Sequence, residues 1–515
     1  MKRNRGTKND LSRRDFIKTT AVGVGATALA GIGASKAEAQ ETAAIPASWD
    51  YEADVVVIGT GFAGLSTAIT AHDAGANVLI LEKMSQALEG GNSKVSGNMF
   101  WAPLDVAEGA KYIKAMAQGQ VEDEDVFRIL SEGLVENLSV IERLGGVIQP
   151  LAGEAEWPNI PGHETVRTSR MVATVPVTYG PLYKLFRDNV EKRGIKVMYK
   201  TPAKELIQDP ETKEILGVKV ESEGWDRYIK ANKAVVLACG GFEFDEGMKK
   251  QYFPFWLWYG FGTPGNTGDG IKMAQKVGAD LWHMNSPAGG APGVLIVPEI
   301  PMPIRMTGTP GIRMTIWVDK HGNRYVDESV PTRHGFRQKE FTGMFNGTES
   351  CFDRIPTWII FDEALRLRQP LTAATSGWNF YGSVGAIGFP GHSWSKDNSV
   401  EIAKGWIIKT DSISELAAKI AADPDNANPM GQPTMDPATL EATVTKFNKY
   451  CAEGKDPEFG RPKESLVPIN VSPFYAAKIW PAGQNTQEEG IVFSIHSQAW
   501  PRALAGQHAD DVLVG

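Results

Sequence analysis

The chain has 515 residues, a formal net charge of −8, 42% hydrophobic and 22% charged residues. That balance belongs to a globular protein, excludes a disordered or fibrous one, and offers no basic face for nucleic acid. The length allows more than one domain around a large buried core.

The N-terminal "KRNRGTK" is a basic region, and "AVGVGATALAGIGA" after it is too short and small-sided to span a bilayer. Ala37-Glu38-Ala39 gives a small-x-small cleavage pattern, so residues 1–39 read as a signal peptide and the mature chain starts near Gln40. The stretch S-R-R-D-F-I-K, with Arg13-Arg14, resembles a twin-arginine signal, an address for folded cargo. Export to the periplasm or another extracytoplasmic space is expected, with the twin-arginine (Tat) translocon as a partner. After Gln40 no apolar run reaches membrane-spanning length, so no transmembrane segment is expected in the mature chain. Cys239, Cys351 and Cys451 are widely separated and suggest no disulfide framework, haem attachment or metal cluster.

"ADVVVIGTGFAGLSTAITAHDAGANVLILEK" follows. Val55 to Ile58 is an apolar run fit for a buried parallel strand, and Gly59-Thr60-Gly61-Phe62-Ala63-Gly64 follows it. A helical pattern then leads to a second strand, Val78 to Leu81, which ends in Glu82 and Lys83. This is a dinucleotide fingerprint in its required frame. Gly59 permits the tight turn, Gly61 lets the backbone approach a pyrophosphate, and Gly64 lets the helix pack close to the strand. Glu82 would accept hydrogen bonds from a ribose. The fingerprint alone leaves FAD and NAD open.

Further along, Val126, Leu130, Leu134, Leu138 and Ile141 recur at helical spacing up to Gly145-Gly146, which predicts a scaffold helix. "EILGVKVESEGWDRYIKANKAVVLACGG" reads as a hairpin feeding a buried strand. From about Pro287 to Pro468 the texture becomes irregular and rich in Pro, Gly and Trp, with short helices.

Several segments together resemble the fumarate reductase/succinate dehydrogenase flavoprotein family, from about Ala53 to Gly483. They include "GGNSKVSGNMFWAP", with Gly90-Gly91-Asn92-Ser93 and Gly97-Asn98, and "TPAKELI", around Ala203. "AVVLACGGFEFD", with Ala238 and Gly240, and "TPGNTGDGIKMAQKVGADL", with Asp269, also match, as do "WVDKHGNRYVDES" and "VTKFNKYCAEGKDPEFGR". The resemblance implies FAD as cofactor, with Gly91, Asn92, Ser93, Gly97, Asn98, Ala203, Ala238, Gly240 and Asp269 beside it. It also implies an α/β fold, a Rossmann-like FAD-binding domain with an inserted α+β capping domain. The FAD-binding domain is expected over 51–286 and 469–515, and the mobile cap over 287–468. FAD is inserted in the cytoplasm, which would account for a signal that exports folded cargo.

The family's chemistry is hydride transfer from flavin N5 to an activated C=C, with an arginine as proton donor. "NRYVDESVPTRH" puts Arg333 at that position with one extra residue after Glu328; Glu328 or Asp327 could return the proton to it. An arginine is a weak acid, so it can serve only toward a carbanion more basic still. The family's dicarboxylate enzymes carry substrate histidines that this chain lacks. "GADLWHMNSPAGGAPG" has a glycine-rich turn where the first should fall, with His283 too early, and Asn485 and Thr486 stand where a second is expected. The upstream Glu/Arg pair is unmatched as well, although Arg313 lies nearby. A small-molecule unsaturated acceptor other than fumarate is therefore expected. The tryptophan-rich stretches, Trp317 and Trp480 suit an aromatic or polycyclic enone, or equally a core.

No second G-x-G-x-x-G follows a strand, so electrons are expected from a separate donor, a cytochrome or a quinol-linked protein, rather than from NAD(P)H directly. The end "IVFSIHSQAWPRALAGQHADDVLVG" carries none of the family's Y-A-A-G-E strand, G-G-N segment and final helix, and Glu488-Glu489 stand where the family prefers glycine. The C-terminal part of the FAD domain is thus expected to be incomplete. Two alternatives to a reductase follow: a dehydrogenase that forms a C=C, as in ketosteroid dehydrogenases, and a catalytically inactive flavoprotein-like binding protein.

Overall fold

The computed structural model describes residues 44–96, 99–119, 121, 123–150, 155, 157–171, 180–253, 255, 257–260, 262–281, 284–285, 293–299, 303–306, 311–329, 345–372, 392–483 and 512–514. Strand β1 (Tyr51–Ile58) leads through Gly59–Gly61 into helix α1 (Phe62–Asp73) and then β2 (Val78–Leu81). β3 (Lys196–Met198) pairs parallel with β2, and β4 (Ala203–Gln208), β5 (Ile215–Ser222) and β6 (Trp225–Leu237) form an antiparallel meander. The end of β6 lies parallel to β1, with Val55 opposite Ala234. The resulting order is β3-β2-β1-β6-β5-β4, and the short strand Val512–Val514 makes a seventh member, parallel to β6.

The apolar runs explain this arrangement. Every residue of β2 is buried, as are Val56, Val57 and Ile58 of β1, because helices cover both faces of the sheet. Val57, Ile80 and Val236 pack on one side against Leu65 and Ile69 of α1 and Phe186 and Val190 of the helix Pro181–Lys192. Val56, Ile58 and Leu81 face the other side, toward Met273 and Ala274 of α2 (Asp269–Lys276). The β5–β6 hairpin turns on two residues, Glu223 and Gly224, both at positive φ (54° and 82°), the backbone hand that matches strand twist.

A three-stranded antiparallel sheet (Met99–Pro103, Ile148–Pro150, Val166–Met171) interrupts the first sheet between β2 and β3, backed by helices Val106–Ala117 and Glu124–Arg143. Glu124–Arg143 is the helix read from the apolar spacing.

A second antiparallel sheet has the order β7 (Ile316–Val318), β8 (Thr357–Asp362), β10 (Phe474–Ile479), β9 (Ile408–Thr410). Its Ile316, Trp358 and Ile360 face Leu416 and Ile420 of the helix Ile413–Ala421 and Leu440 and Phe447 of α3 (Pro437–Glu453). Trp317, Ile359, Phe361 and Tyr475 pack on the opposite side.

One expected boundary moves. The sequence reading returned the chain to the first domain at 469, yet β10 is an inner strand of the second sheet, paired on both edges. The return falls at Ala482–Gly483, which lies parallel to Tyr259–Gly260. Trp258, Trp317 and Trp480 are buried in these cores, so packing accounts for them.

Candidate cofactor site

An open cleft of about 910 Å³, solvent at its mouth included, lies at the carboxyl ends of β1, β2 and β6. Gly59, Gly61, Phe62, Ala63, Glu82, Lys83, Gly91, Asn92, Ser93, Ala203, Ala238, Gly240 and Asp269 line it, together with Thr60, Met84, Thr201, Cys239, Thr263, Gly265, Asn266 and Met273. The carboxyl ends of parallel strands, at the point where the strand order reverses, are where open α/β sheets bind ligands.

The glycine turn is required by space. Gly59 has φ +115°, and a Cβ there would fall 2.1 Å from the Ala238 carbonyl oxygen. A Cβ on Gly64, which itself lies behind the cleft wall, would fall 2.1 Å from the Gly59 carbonyl oxygen. Gly61 begins α1 without a side-chain cap of that helix's own; instead Phe62 N donates to Ser93 Oγ at 2.9 Å. A helix start aimed at a cleft favours a pyrophosphate through the remaining N–H groups of its first turn and its dipole.

Glu82, at the end of β2, is 6% exposed. One oxygen accepts from the Thr60 hydroxyl and the other from Met84 N at 2.8 Å, so the carboxylate is fixed where a ribose would lie. Thr60 Oγ1 in turn accepts from Gly90 N at 2.8 Å, which joins the glycine turn to the Gly90-Gly91 segment. Lys83 Nζ reaches Asp269 at 2.6 Å and Thr267 Oγ1 at 2.8 Å across the cleft. Burial pushes the Cys239 thiol up to about 12, so it stays neutral at the cleft wall.

Sequence reasoning missed the group that ties these walls together. Glu243 is wholly buried and accepts from Asn92 Nδ2 at 2.7 Å and Asn266 Nδ2 at 2.6 Å, while Asn92 Oδ1 accepts from Thr263 N at 2.7 Å. Each residue lies within a segment quoted for its resemblance, but only the fold shows that they meet.

The residues beside this cleft fit a flavin adenine dinucleotide at its dinucleotide end, with a glycine cradle that a Cβ would fill and an acid held at the ribose position. Gly97 and Asn98 lie outside the described residues. So do Arg333, His283, Asn485, Thr486, Glu488 and Glu489. Glu328 does not line the cleft: it is wholly buried in the second unit, paired with Arg324 and Arg461.

Glu82→Ala is expected to weaken FAD binding about tenfold to a hundredfold, the loss of one charge-assisted contact worth about 1.5–3 kcal/mol. Titration of the flavin-free chain with FAD, read by flavin fluorescence, measures it; unchanged affinity would remove Glu82 from the site.

Fold and cleft together define a dinucleotide-binding flavoprotein. The chain belongs to the FAD binding domain family, whose pattern it matches over residues 54–507, and residues 10–30 match the twin-arginine translocation pathway signal sequence. It is an FAD-dependent oxidoreductase carrying a Tat signal. It is 24% identical to 3-oxosteroid 1-dehydrogenase of Mycolicibacterium smegmatis, over 85% of this chain and 87% of that one. Urocanate reductase of Eggerthella lenta is 27% identical over 84% of this chain and 64% of its own length. NADH:fumarate oxidoreductase of Klebsiella pneumoniae is 26% identical over 95% of this chain, which spans only 47% of that protein. The fold is similar to 3-ketosteroid delta1-dehydrogenase from Sterolibacterium denitrificans, with TM-score 0.68 and 22% identity over 84% of this chain and 88% of that one. It is also similar to a flavocytochrome c3 fumarate reductase, with TM-score 0.55 and 22% identity over 85% and 68%. Among the described residues no helix is long and apolar enough to cross a membrane.

Proposed function

We propose that this protein is an exported reductase of an activated C=C, acting on CH–CH groups of an unsaturated acceptor other than fumarate, with Arg333 as proton donor. Bound FAD, once reduced, supplies the hydride. The observation that carries the reading is the cleft, where the glycine turn, Glu82 and the Asn92–Glu243–Asn266 network converge on one dinucleotide site.

The chain's own contribution begins with anchoring. The helix start at Gly61 and the Glu82 carboxylate hold the dinucleotide end and leave redox chemistry to the far end of the cofactor. Arg333 would give its proton to one carbon of the acceptor's double bond, and with the hydride that bound, reduced FAD would supply at the other carbon the acceptor would gain two electrons and one hydrogen at each position. Electrons enter from a separate cytochrome or quinol-linked donor in the extracytoplasmic space. The loss of family histidines at the dicarboxylate positions supports a different acceptor, and the buried tryptophans no longer speak for an aromatic one. The opposite direction, a dehydrogenase forming a C=C, is supported by the dehydrogenase name of a relative matched along most of both chains.

The test is the absorbance spectrum of the purified mature chain under dithionite, followed by re-oxidation with fumarate, urocanate and 3-ketosteroid enones. One acceptor should restore the oxidised flavin spectrum, and Arg333→Ala should slow that restoration about 10²–10⁴-fold with flavin content unchanged. Equal rates in wild type and Arg333→Ala would overturn the assignment. Restoration by no acceptor, with reduction by a saturated 3-ketosteroid instead, would select the dehydrogenase.

A further inference from the structure

The hydrogen-bond network behind the cleft fixes which polar atom one wall offers to a ligand. Glu243 is wholly buried, and its Oε1 accepts from Asn92 Nδ2 at 2.7 Å and from Asn266 Nδ2 at 2.6 Å. Whether Glu243 is ionised or carries a proton on Oε2, Oε1 is an acceptor. Each amide must therefore turn its NH2 toward Glu243 and its carbonyl away. The Asn92 carbonyl meets a donor of the protein, Thr263 N at 2.7 Å. The Asn266 carbonyl does not: among the described residues no group donates to its Oδ1.

Asn266 is 6% exposed and lines the cleft. Its backbone is held on both sides, since Asn266 N donates to the Thr263 carbonyl at 3.3 Å and the Asn266 carbonyl accepts from Phe244 N at 3.0 Å. Gly240, at φ +73°, leaves room beside the amide, because a Cβ there would stand 2.6 Å from Asn266 Oδ1. Buried polar atoms in folded proteins are paired, so this one calls for a donor from the occupant of the cleft.

Neighbouring contacts say which part of the cofactor that donor belongs to. Ser93, next to Asn92, accepts from Phe62 N at the start of α1, where a pyrophosphate is favoured. Gly240 comes two residues after Ala238, whose carbonyl packs against Gly59. Asn266 thus adjoins the middle of a bound FAD. A phosphate oxygen has no hydrogen to give, and the groups on either side of the pyrophosphate are the ribose and the ribitol, both of which carry hydroxyls. N–H groups sit only at the two ring ends. We propose that Asn266 Oδ1 accepts a hydrogen bond from a ribose or ribitol hydroxyl of bound FAD, and that Glu243 is the positioning residue that keeps the amide this way round. The wall then opposes a cofactor slid along the cleft, since a phosphate oxygen there would face an acceptor. This contact rests on FAD occupying the cleft and is independent of the acceptor and of the direction of the flavin reaction.

The mature chain, freed of flavin, is titrated calorimetrically with FAD and with analogues that each lack one hydroxyl of the ribose or of the ribitol. Asn266→Leu, similar in shape but without a polar atom, should weaken FAD binding about twofold to tenfold, the worth of one neutral hydrogen bond. Asn266→Ala, which adds no bulk, should do the same. For the analogue that lacks the bonded hydroxyl the loss should vanish, because both partners of the contact are then gone. Whether that analogue is altered in the ribose or the ribitol identifies the half of the cofactor at this wall. Equal FAD affinity in wild type and both variants, or a loss that persists with every analogue, overturns the contact. In a Glu243→Leu background Asn266→Leu should cost nothing further, whereas its full loss there would show that Glu243 does not orient the amide. Failure of the wild-type chain to bind FAD at all would overturn the cleft assignment itself, a result distinct from either of these.

Discussion

Gly64→Val is expected to yield a colourless protein. The added Cβ would stand 2.1 Å from the Gly59 carbonyl oxygen, 3.0 Å from its carbon and 3.4 Å from Ala238 Cβ. Two of these are backbone atoms in the turn that must cradle the pyrophosphate, so no side-chain rotation relieves the clash. Either α1 backs away from β1, opening the Phe62–Leu65 packing, or the turn moves out of place. Overpacking of a well-filled site costs about 1–3 kcal/mol, and a contact with fixed backbone lies at or above that range. The ratio of flavin to protein absorbance after desalting should fall at least tenfold. Gly133→Ala is the control, since a Cβ there meets nothing within 4 Å and the site is inside a helix. A yellow Gly64→Val protein at the wild-type ratio would show that the turn tolerates displacement.

Glu328→Ala should have the largest effect on the second unit. Glu328 accepts from Arg324 at 2.9 and 2.8 Å, from Arg461 at 2.9 Å and from Trp317 N at 3.1 Å. Arg324 shares Asp456 at 3.0 Å, and both guanidinium groups lie over the Phe447 ring. Removal of the carboxylate leaves two buried cations with one remaining anion, a change that costs about 3–5 kcal/mol. Thermal unfolding followed by tryptophan fluorescence should show a lower midpoint. Glu328→Gln separates this role from proton relay. A positioning role lowers the melting point and leaves turnover per bound flavin near normal, whereas a relay role lowers turnover and leaves the melting point near normal. The geometry supports the first outcome, because all four contacts are to groups that hold β7 and the loop after it.

The legible parts of the chain were those where one short segment carries both shape and chemistry. Residues 51–83 announced strand, glycine turn, helix, strand and acid in order, and each appears where the spacing put it. Contacts between remote segments were not legible. Nothing in "GGFEFD" says that Glu243 rather than Asp245 will take the amides of Asn92 and Asn266; Asp245 instead caps the helix Glu246–Tyr252. The boundary near 469 failed for a related reason. β10 is almost wholly buried, so its sequence shows no alternation to say which sheet receives it. The cysteines were read by their spacing along the chain, which said nothing of Cys351 lying near the Glu349 and Asp353 carboxylates.

The first sheet also governs when the chain can finish folding. β1 finds its neighbour in β6, so Val55 waits for Ala234, and Tyr259 waits again for Ala482. Pairings this distant in sequence carry a large loop-closure cost before they return any stability, which places such a topology among slow folders. The dinucleotide cleft is itself made of these late contacts, since Gly59 and Gly240 come from strands that meet only then. The cleft is therefore complete only after these late pairings have formed, and a chain arrested before them offers no dinucleotide site.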